Sequence, residues 1–263
     1  MAQRRKKTSH IEGRLFDARP DSADFRDRLY TPGLHEVPPV QPLANYQRHR
    51  VPILDQGNEG ACTGFGLATV ANFLLRTRDV KPEKSGSVSP RMMYEMAKRY
   101  DPWPGHDYEG SSCRGAMKGW QKHGVCQESL WKHSGKVKHT LTNVRKRNAA
   151  ARPLGAYYRV NTGNLSDMHA ALSEVGVLYV SSDVHSGWDD VKSNGGIPSR
   201  KKILGGHAYA LVGFDEVGFW LQNSWGPDWG KGGFGRLSYE DWLRDGADAW
   251  VCRLGVPVTV KRK

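Results

Sequence analysis

Asp55-Gln56-Gly57-Asn58-Glu59-Gly60-Ala61-Cys62-Thr63-Gly64-Phe65-Gly66 decides how this chain is read. A glycine-rich loop delivers one cysteine, and apolar residues follow at Leu67, Val70, Ala71, Leu74 and Leu75. That spacing predicts a helix with one apolar face. It ends near Arg76 and Arg78, whose charge suits a helix C-terminus. Cys62 then lies at the helix N-terminus, where unpaired N–H groups and the macrodipole favour an anion. A thiolate is such an anion, so this setting lowers a cysteine pKa. Gly64 and Gly66 each cost about 1 kcal/mol against alanine inside a helix. They imply that something approaches the first turn closely. Taken alone, one cysteine beside an apolar helix is more often a small buried hydrophobe.

The far end of the chain changes that balance. Gly205-Gly206-His207-Ala208-Tyr209-Ala210-Leu211-Val212-Gly213-Phe214 is followed by Asn223-Ser224-Trp225-Gly226-Pro227-Asp228-Trp229-Gly230. A cysteine, then a distant histidine, then an asparagine is the order used by papain-like enzymes. Gln56 stands six residues before Cys62, and Gly232-Gly233-Phe234-Gly235-Arg236-Leu237 closes the pattern. On these motifs the chain resembles the papain-like cysteine peptidases, of a prokaryotic or phage type without a long propeptide. The match spans about residues 50 to 253, and the interval from His207 to Asn223 is the one the family uses.

The resemblance implies an α+β fold, a helical half and a sheet or barrel half with a cleft between them. It also implies peptide-bond hydrolysis through a thioester acyl-enzyme, without cofactor or metal. Cys62 would be the nucleophile and His207 the proton carrier. Asn223 would orient the imidazole, and Gln56 would donate to the oxyanion beside the Cys62 N–H. Trp225 would shield the His–Asn bond and, with Gly205, Gly206 and Ala208, contact substrate. Two departures stand out: Glu59 replaces the family's first cysteine, and Thr63 replaces the aromatic after the nucleophile. A reading from another class is a catalytically silent protein of the same fold that uses its cleft and basic surface on an acidic partner.

Composition bounds the rest. A chain of 263 residues, 38% hydrophobic, carries a real core and no membrane-length apolar run. The basic N-terminus lacks a following apolar segment, so it is not a secretory signal. Cys62, Cys113, Cys126 and Cys252 form neither a disulfide framework nor a zinc pattern. A reducing, cytoplasmic setting is expected. The net charge of +12 includes an acid-free block from Ser129 to Ser166 holding Lys132, Lys136, Lys138, Arg145, Lys146, Arg147, Arg152 and Arg159. Such a block is read as a solvated face, with an acidic partner the sharper alternative and nucleic acid unsupported by any motif. Nothing in the sequence sets an oligomeric state.

In chain order, residues 1–14 read as a basic flexible tail and residues 15–50 as an extended arm, with Pro38, Pro39 and Pro42 opposing helix. Residues 51–150 form the mainly helical half and residues 151–263 the mainly β half. Ser89-Pro90 opens a helix as cap and first residue, and another runs from Cys113 to His123 before Gly124. Loops are expected from Lys81 to Val88, from Asp101 to Ser111 around Trp103, and from Lys192 to Lys202. Strands are expected at Tyr157–Val160, Val177–Ser181, His207–Phe214, Phe219–Asn223, Gly232–Leu237 and Ala249–Arg253. The arm has neither the length nor the pattern of the family's helical propeptide. It is therefore expected to pack rather than regulate, and the full-length chain to be active as it stands.

Overall fold

The computed structural model describes residues 9–33, 36–78, 86–102, 108–133 and 140–257. Trp103, Lys136, Lys138, the loop residues 81–85 and the first eight residues of the tail lie outside the described residues. The helices are α1 (Leu43–Gln47), α2 (Cys62–Arg78), α3 (Pro90–Arg99), α4 (Cys113–His123), α5 (Asn143–Ala149), α6 (Leu165–Val175) and α7 (Tyr239–Asp245). The strands are β1 (Leu154–Arg159), β2 (Leu178–His185), β3 (Ile203–Phe214), β4 (Gly218–Gln222), β5 (Phe234–Ser238) and β6 (Gly246–Leu254). The strands form one antiparallel sheet in the order β1-β6-β2-β3-β4-β5. The architecture is α+β.

Local chemistry explains most boundaries. The Ser89 and Ser112 hydroxyls accept from Met92 N and Gly115 N, capping α3 and α4. The Asn164 side chain caps α6, and Gly176 ends it in the left-handed conformation. Two helices depart from expectation. α1 begins directly after Pro42, because a proline at the cap position has no intrahelical N–H to supply. α5 lies inside the basic block, capped by Thr142, and the block has no apolar stripe to announce it. Nor is the whole block a solvated face. Arg145 is buried, its guanidinium 4.2 Å from the Trp131 ring and bonded to the carbonyls of Leu130 and Thr140. Arg159 pairs with Asp248 at 2.6 Å.

Helix α2 is central, and it is buried along every residue from Cys62 to Phe73 rather than on one face. α3 and α4 cover one side of it and the sheet covers the other. A methyl at Gly64 would lie 2.5 Å from the Tyr94 nitrogen on α3, and one at Gly66 would lie 3.0 Å from the Tyr209 Cα on β3. These contacts are the close approach that the two helix glycines imply. Strand β3 alternates with period two. Ala208, Ala210 and Val212 enter the core shared with Leu67, Val70 and Ala71 of α2. Tyr209 and Leu211 enter the core on the opposite face, with Met168 and Leu172 of α6 and Trp242 of α7. The mouth lies between the helical layer, which starts at Cys62, and the start of β3, which carries His207.

Candidate active site

The cysteine loop is fastened to the downstream motif by backbone pairing. Gln56 N donates to Ser224 O at 3.0 Å, Gly226 N donates to Leu54 O at 3.0 Å, and Asp55 bridges Trp225. Asp55 Oδ1 accepts from Gly57 N at 2.9 Å, and Gly57 takes a φ of 63°. This turn swings the chain back into the N-terminus of α2. Thr63, where the family carries an aromatic, is fully buried. Its hydroxyl lies 2.6 Å from that of Ser111 and its carbonyl accepts from the Tyr179 hydroxyl at 2.8 Å, so it ties α2 to the cleft wall and to β2.

His207 stands on β3 opposite Ser182, and Asn223 directly follows β4. The His207 Nε2 to Asn223 Oδ1 distance is 2.8 Å. Ser224 N also donates to that Oδ1, at 2.8 Å, which identifies the atom as an oxygen acceptor. The imidazole proton therefore sits on Nε2. Nδ1 keeps its lone pair and has no hydrogen-bond partner among the described residues. Trp225 lies over the pair, 5.0 Å from the His207 ring centre. The backbone N–H of Ala208, next to His207, favours the ionised form of the Cys62 sulfur. Ala208 is fully buried and does not line the open cleft. Gln56 is buried, its Oε1 accepting from Ser224 Oγ at 2.7 Å and its Nε2 donating one hydrogen to Glu59 O at 3.0 Å. The second amide hydrogen is left for another acceptor.

The arm is the main surprise. It runs through the mouth between the two walls. Ala18 N donates to Gly206 O at 3.1 Å on one wall, and Arg19 N donates to Ser111 O at 3.2 Å on the other. The Asp17 carboxylate accepts from Glu109 N and Gly110 N at 3.0 and 3.2 Å. The walls admit it only because they carry glycine: a methyl at Gly110 would lie 1.6 Å from Asp17 O, and one at Gly206 would lie 2.0 Å from Ala18 O. The Phe16 ring centre is 5.6 Å from Trp225 and 6.4 Å from His207. Arg14 bonds Gly57 O at 2.7 Å, and His10 N bonds Asp189 at 2.6 Å, so residues 9–14 are fixed where a flexible tail was expected. The arm packs as expected, and its packing takes it across the mouth.

Covered in this way, Cys62 and His207 have no exposed surface. Burial pushes the Cys62 thiol up to about 11, against the pull of the Ala208 and Thr63 N–H groups, and the Asp17 charge adds to the rise. The helix-terminus effect expected from sequence is thus overridden. Burial takes His207 down to about 4, although Asn223 favours its charged form. Both groups are neutral in the covered state.

Behind the mouth the arm is held by a buried carboxylate. Both Asp21 oxygens accept from Arg114 N, at 3.0 and 3.1 Å, and Oδ2 also accepts from Trp250 Nε1 at 3.1 Å. Asp21 N donates to Asp248 Oδ2 at 3.0 Å. Burial, then the Asp248 charge, raises Asp21 to about 7, against Arg114 and Arg159. A carboxyl raised in the covered state makes that state bind protons more readily than the released arm. Its help is complete below the ordinary 3.8 and is lost as pH rises to about 7. Asn at position 21 removes the titration. Trypsin cleavage after Arg14 is therefore expected to be slower in Asp21→Asn than in the parent at pH 8, and similar in the two at pH 5. A faster cut in the variant at pH 8 contradicts this sign.

His185, Asp241 and Asp245 are the group closest to a metal-ligand arrangement among the described residues. His185 Nδ1 accepts from Gly187 N, so the proton sits on Nε2, toward Asp241. Arg244 already holds Asp241 and Asp245 at 2.7 Å each. The group is a salt-bridged cluster and does not fit a metal.

Of the residues expected from sequence, Cys62, His207, Asn223, Gln56, Gly205, Gly206, Ala208 and Trp225 converge on one mouth. Phe16, Asp17, Gly110 and Ser111 join them without a motif to mark them. The spaced acids of the arm, Asp17, Asp21, Asp24 and Asp27, were the available signal. A family model described as papain family cysteine protease matches residues 44–245. Cathepsin B-like CP2 of Giardia intestinalis is 28% identical over 82% of this chain, and cysteine proteinase 2 of Entamoeba histolytica is 27% identical over 70%. The chain spans 58% of the length of each of these relatives. Among solved structures, xylellain, a cysteine protease from Xylella fastidiosa, superposes with a TM-score of 0.75 at 24% identity, covering 96% of this chain and 99% of that one. A procathepsin B from Trypanosoma congolense superposes with a TM-score of 0.73 at 16% identity, covering 93% and 88%. The fold is therefore papain-like, and the chain belongs to the papain family of cysteine proteases.

Proposed function

We propose that this chain is a cysteine peptidase that hydrolyses peptide bonds in peptide or protein substrates, and that its own arm covers the site in the state described. The observation that carries the reading is the Asn223–His207 bond, which fixes the ring and leaves the Nδ1 lone pair unused. In the open site His207 Nδ1 takes the Cys62 proton, and the sulfur attacks the scissile carbonyl. Gln56 Nε2 and the Cys62 backbone N–H stabilise the oxyanion. His207 returns the proton to the leaving amine, a thioester remains, and water attacks it by the reverse proton path. Gly205, Gly206 and Trp225, which touch the arm in the covered state, are the surfaces that contact substrate. The four free thiols suit a reducing compartment. The same convergence of groups weighs against a catalytically silent binding protein.

Digestion of an unbiased peptide mixture tests the reading, together with labelling by a thiol-directed epoxide. Once the arm is displaced, the label is expected on Cys62 alone. Cys113, Cys126 and Cys252 are buried, and burial pushes each of their thiols up. Equal labelling of all four, or no peptide cleavage with the arm displaced, rejects the assignment.

A further inference from the structure

The Gln56 amide is held by a charged cluster that the mechanism does not use. Glu59, at the position of the family's first cysteine, receives a two-pronged contact from Arg91: Nη1 donates to Oε1 at 2.7 Å, and Nη2 donates to Oε2. Arg91 Nη1 also reaches Glu95 at 3.2 Å. The Arg91 Nη2 to His133 Nδ1 distance is 3.0 Å, and the His133 Nε2 to Gln56 O distance is 3.1 Å. A guanidinium only donates and a carbonyl only accepts. His133 is therefore neutral, with its proton on Nε2. Burial, then the Arg91 charge, holds it below the usual histidine range. For Glu59, burial raises the carboxyl but the Arg91 bonds and charge outweigh it, so it stays ionised.

Arg91 thus holds two residues, and each holds Gln56 by a different handle. The Glu59 carbonyl takes one hydrogen of the side-chain amide, and His133 donates to the backbone carbonyl. Ser224 fixes the remaining amide atom. With Oε1 and one N–H spoken for, the last N–H has a single direction. The Arg91 side chain is 5% exposed and that of Glu59 is 32% exposed, so the pairing is sheltered from solvent on the Arg91 side. The His133 ring also stands edge-on to Phe65 of α2, with centres 4.6 Å apart, which joins the cluster to the helix that carries Cys62.

We propose that Arg91 is a positioning residue for oxyanion stabilisation, acting through Glu59 and His133 to aim the free Gln56 N–H. The inference rests on the peptidase reading above. A group that aims a donor at developing charge affects the transition state more than the bound substrate. In the full-length chain, where the arm is common to every variant, Arg91→Ala is expected to lower kcat about 10- to 100-fold with KM nearly unchanged, less than the loss of the donor itself. A peptide aldehyde, whose adduct with Cys62 carries the oxyanion, is expected to weaken by the same factor. Alkylation of Cys62 by iodoacetamide creates no oxyanion and is expected to keep its rate. Arg91→Lys restores part of the loss, because it supplies the charge without the fork. Adding Arg91→Ala to Gln56→Ala is expected to cost little more than Gln56→Ala alone.

The proposal is overturned if aldehyde affinity is unchanged in Arg91→Ala, if alkylation falls in parallel with turnover, or if the Arg91 and Gln56 losses multiply. Should Arg91→Ala fail to fold, Glu59→Gln and His133→Ala carry the same comparison: the first weakens the Arg91 grip on the residue whose backbone carbonyl holds the amide, and the second removes the contact to the Gln56 carbonyl. A parent protein that neither cleaves peptide nor alkylates at Cys62 overturns the peptidase reading, and this inference with it. Intact alkylation with an unaltered aldehyde response overturns the inference alone.

Discussion

Deletion of residues 1–22 is expected to raise kcat/KM on a short peptide by about 100-fold or more. The arm fills the mouth from wall to wall, with Ala18 on Gly206 and Arg19 on Ser111, and leaves Cys62 with no exposed surface. Substrate therefore binds only the fraction of molecules whose arm has lifted, and apparent affinity falls in proportion to that fraction. An arm held by about 3 kcal/mol leaves roughly 1% of molecules open. The cut falls at exposed Ser22 and Ala23, beyond the Asp21 anchor. It spares the later arm, where Tyr30 N pairs with Arg159 O and Asp27 pairs with Arg114 at 2.5 Å. Asp248 keeps Arg159 and Ser181 as partners, so the body retains its buried charge pairing. Deletion also removes the burial and the Asp17 charge that push the Cys62 thiol up, and leaves the N–H groups that pull it down. Iodoacetamide is expected to react with Cys62 faster by a factor similar to that for turnover. Unchanged turnover and unchanged alkylation after the deletion would show that the arm does not restrict the site.

The second large effect concerns the reacting groups in that opened enzyme. Cys62→Ala is expected to abolish peptide turnover with the fold intact, because the other three thiols are buried elsewhere in the cores. His207→Ala should cost nearly as much, since Nδ1 is the proposed proton carrier. Asn223→Ala should cost less. It frees the ring to rotate and removes the acceptor that holds the proton on Nε2, but it touches no reacting atom. Gln56→Ala should lower kcat about 10²- to 10³-fold with KM almost unchanged, because its bond strengthens as the oxyanion develops. The double change Cys62→Ala/His207→Ala should add little to Cys62→Ala, since the groups act as a unit. The deciding measurement is kcat/KM for each variant on one peptide. Near-parental turnover in Cys62→Ala would falsify the mechanism.

Much of the site was legible because it depends on short-range chemistry. The loop before Cys62, the glycines before His207, the block after Asn223 and the caps at Ser89, Ser112 and Asn164 act on neighbours within a few residues. Strand β3 was legible in its core but not at its start. Ile203 and Leu204 are followed by two glycines, which have weak strand preference, and the segment is strand because β2 supplies partners from Asp183 to His185. Helix α5 escaped because its residues show no apolar stripe, and Arg145 is buried by Trp131 rather than by periodicity.

By itself, the sequence determined which residues are candidates to react and in what order the elements carrying them follow. Cysteine, histidine, asparagine and glutamine chemistry is intrinsic to the side chains, and helix caps and strand alternation are local. Only the tertiary structure decided that α2 is buried all round, that Glu59, Arg91 and His133 meet beneath Gln56, and that an arm without periodicity lies across the mouth. These outcomes depend on contacts between segments far apart in the chain. Asp21 and Asp248 show the reason most plainly: each is an ordinary surface residue by composition, and only burial in one chamber couples their charges.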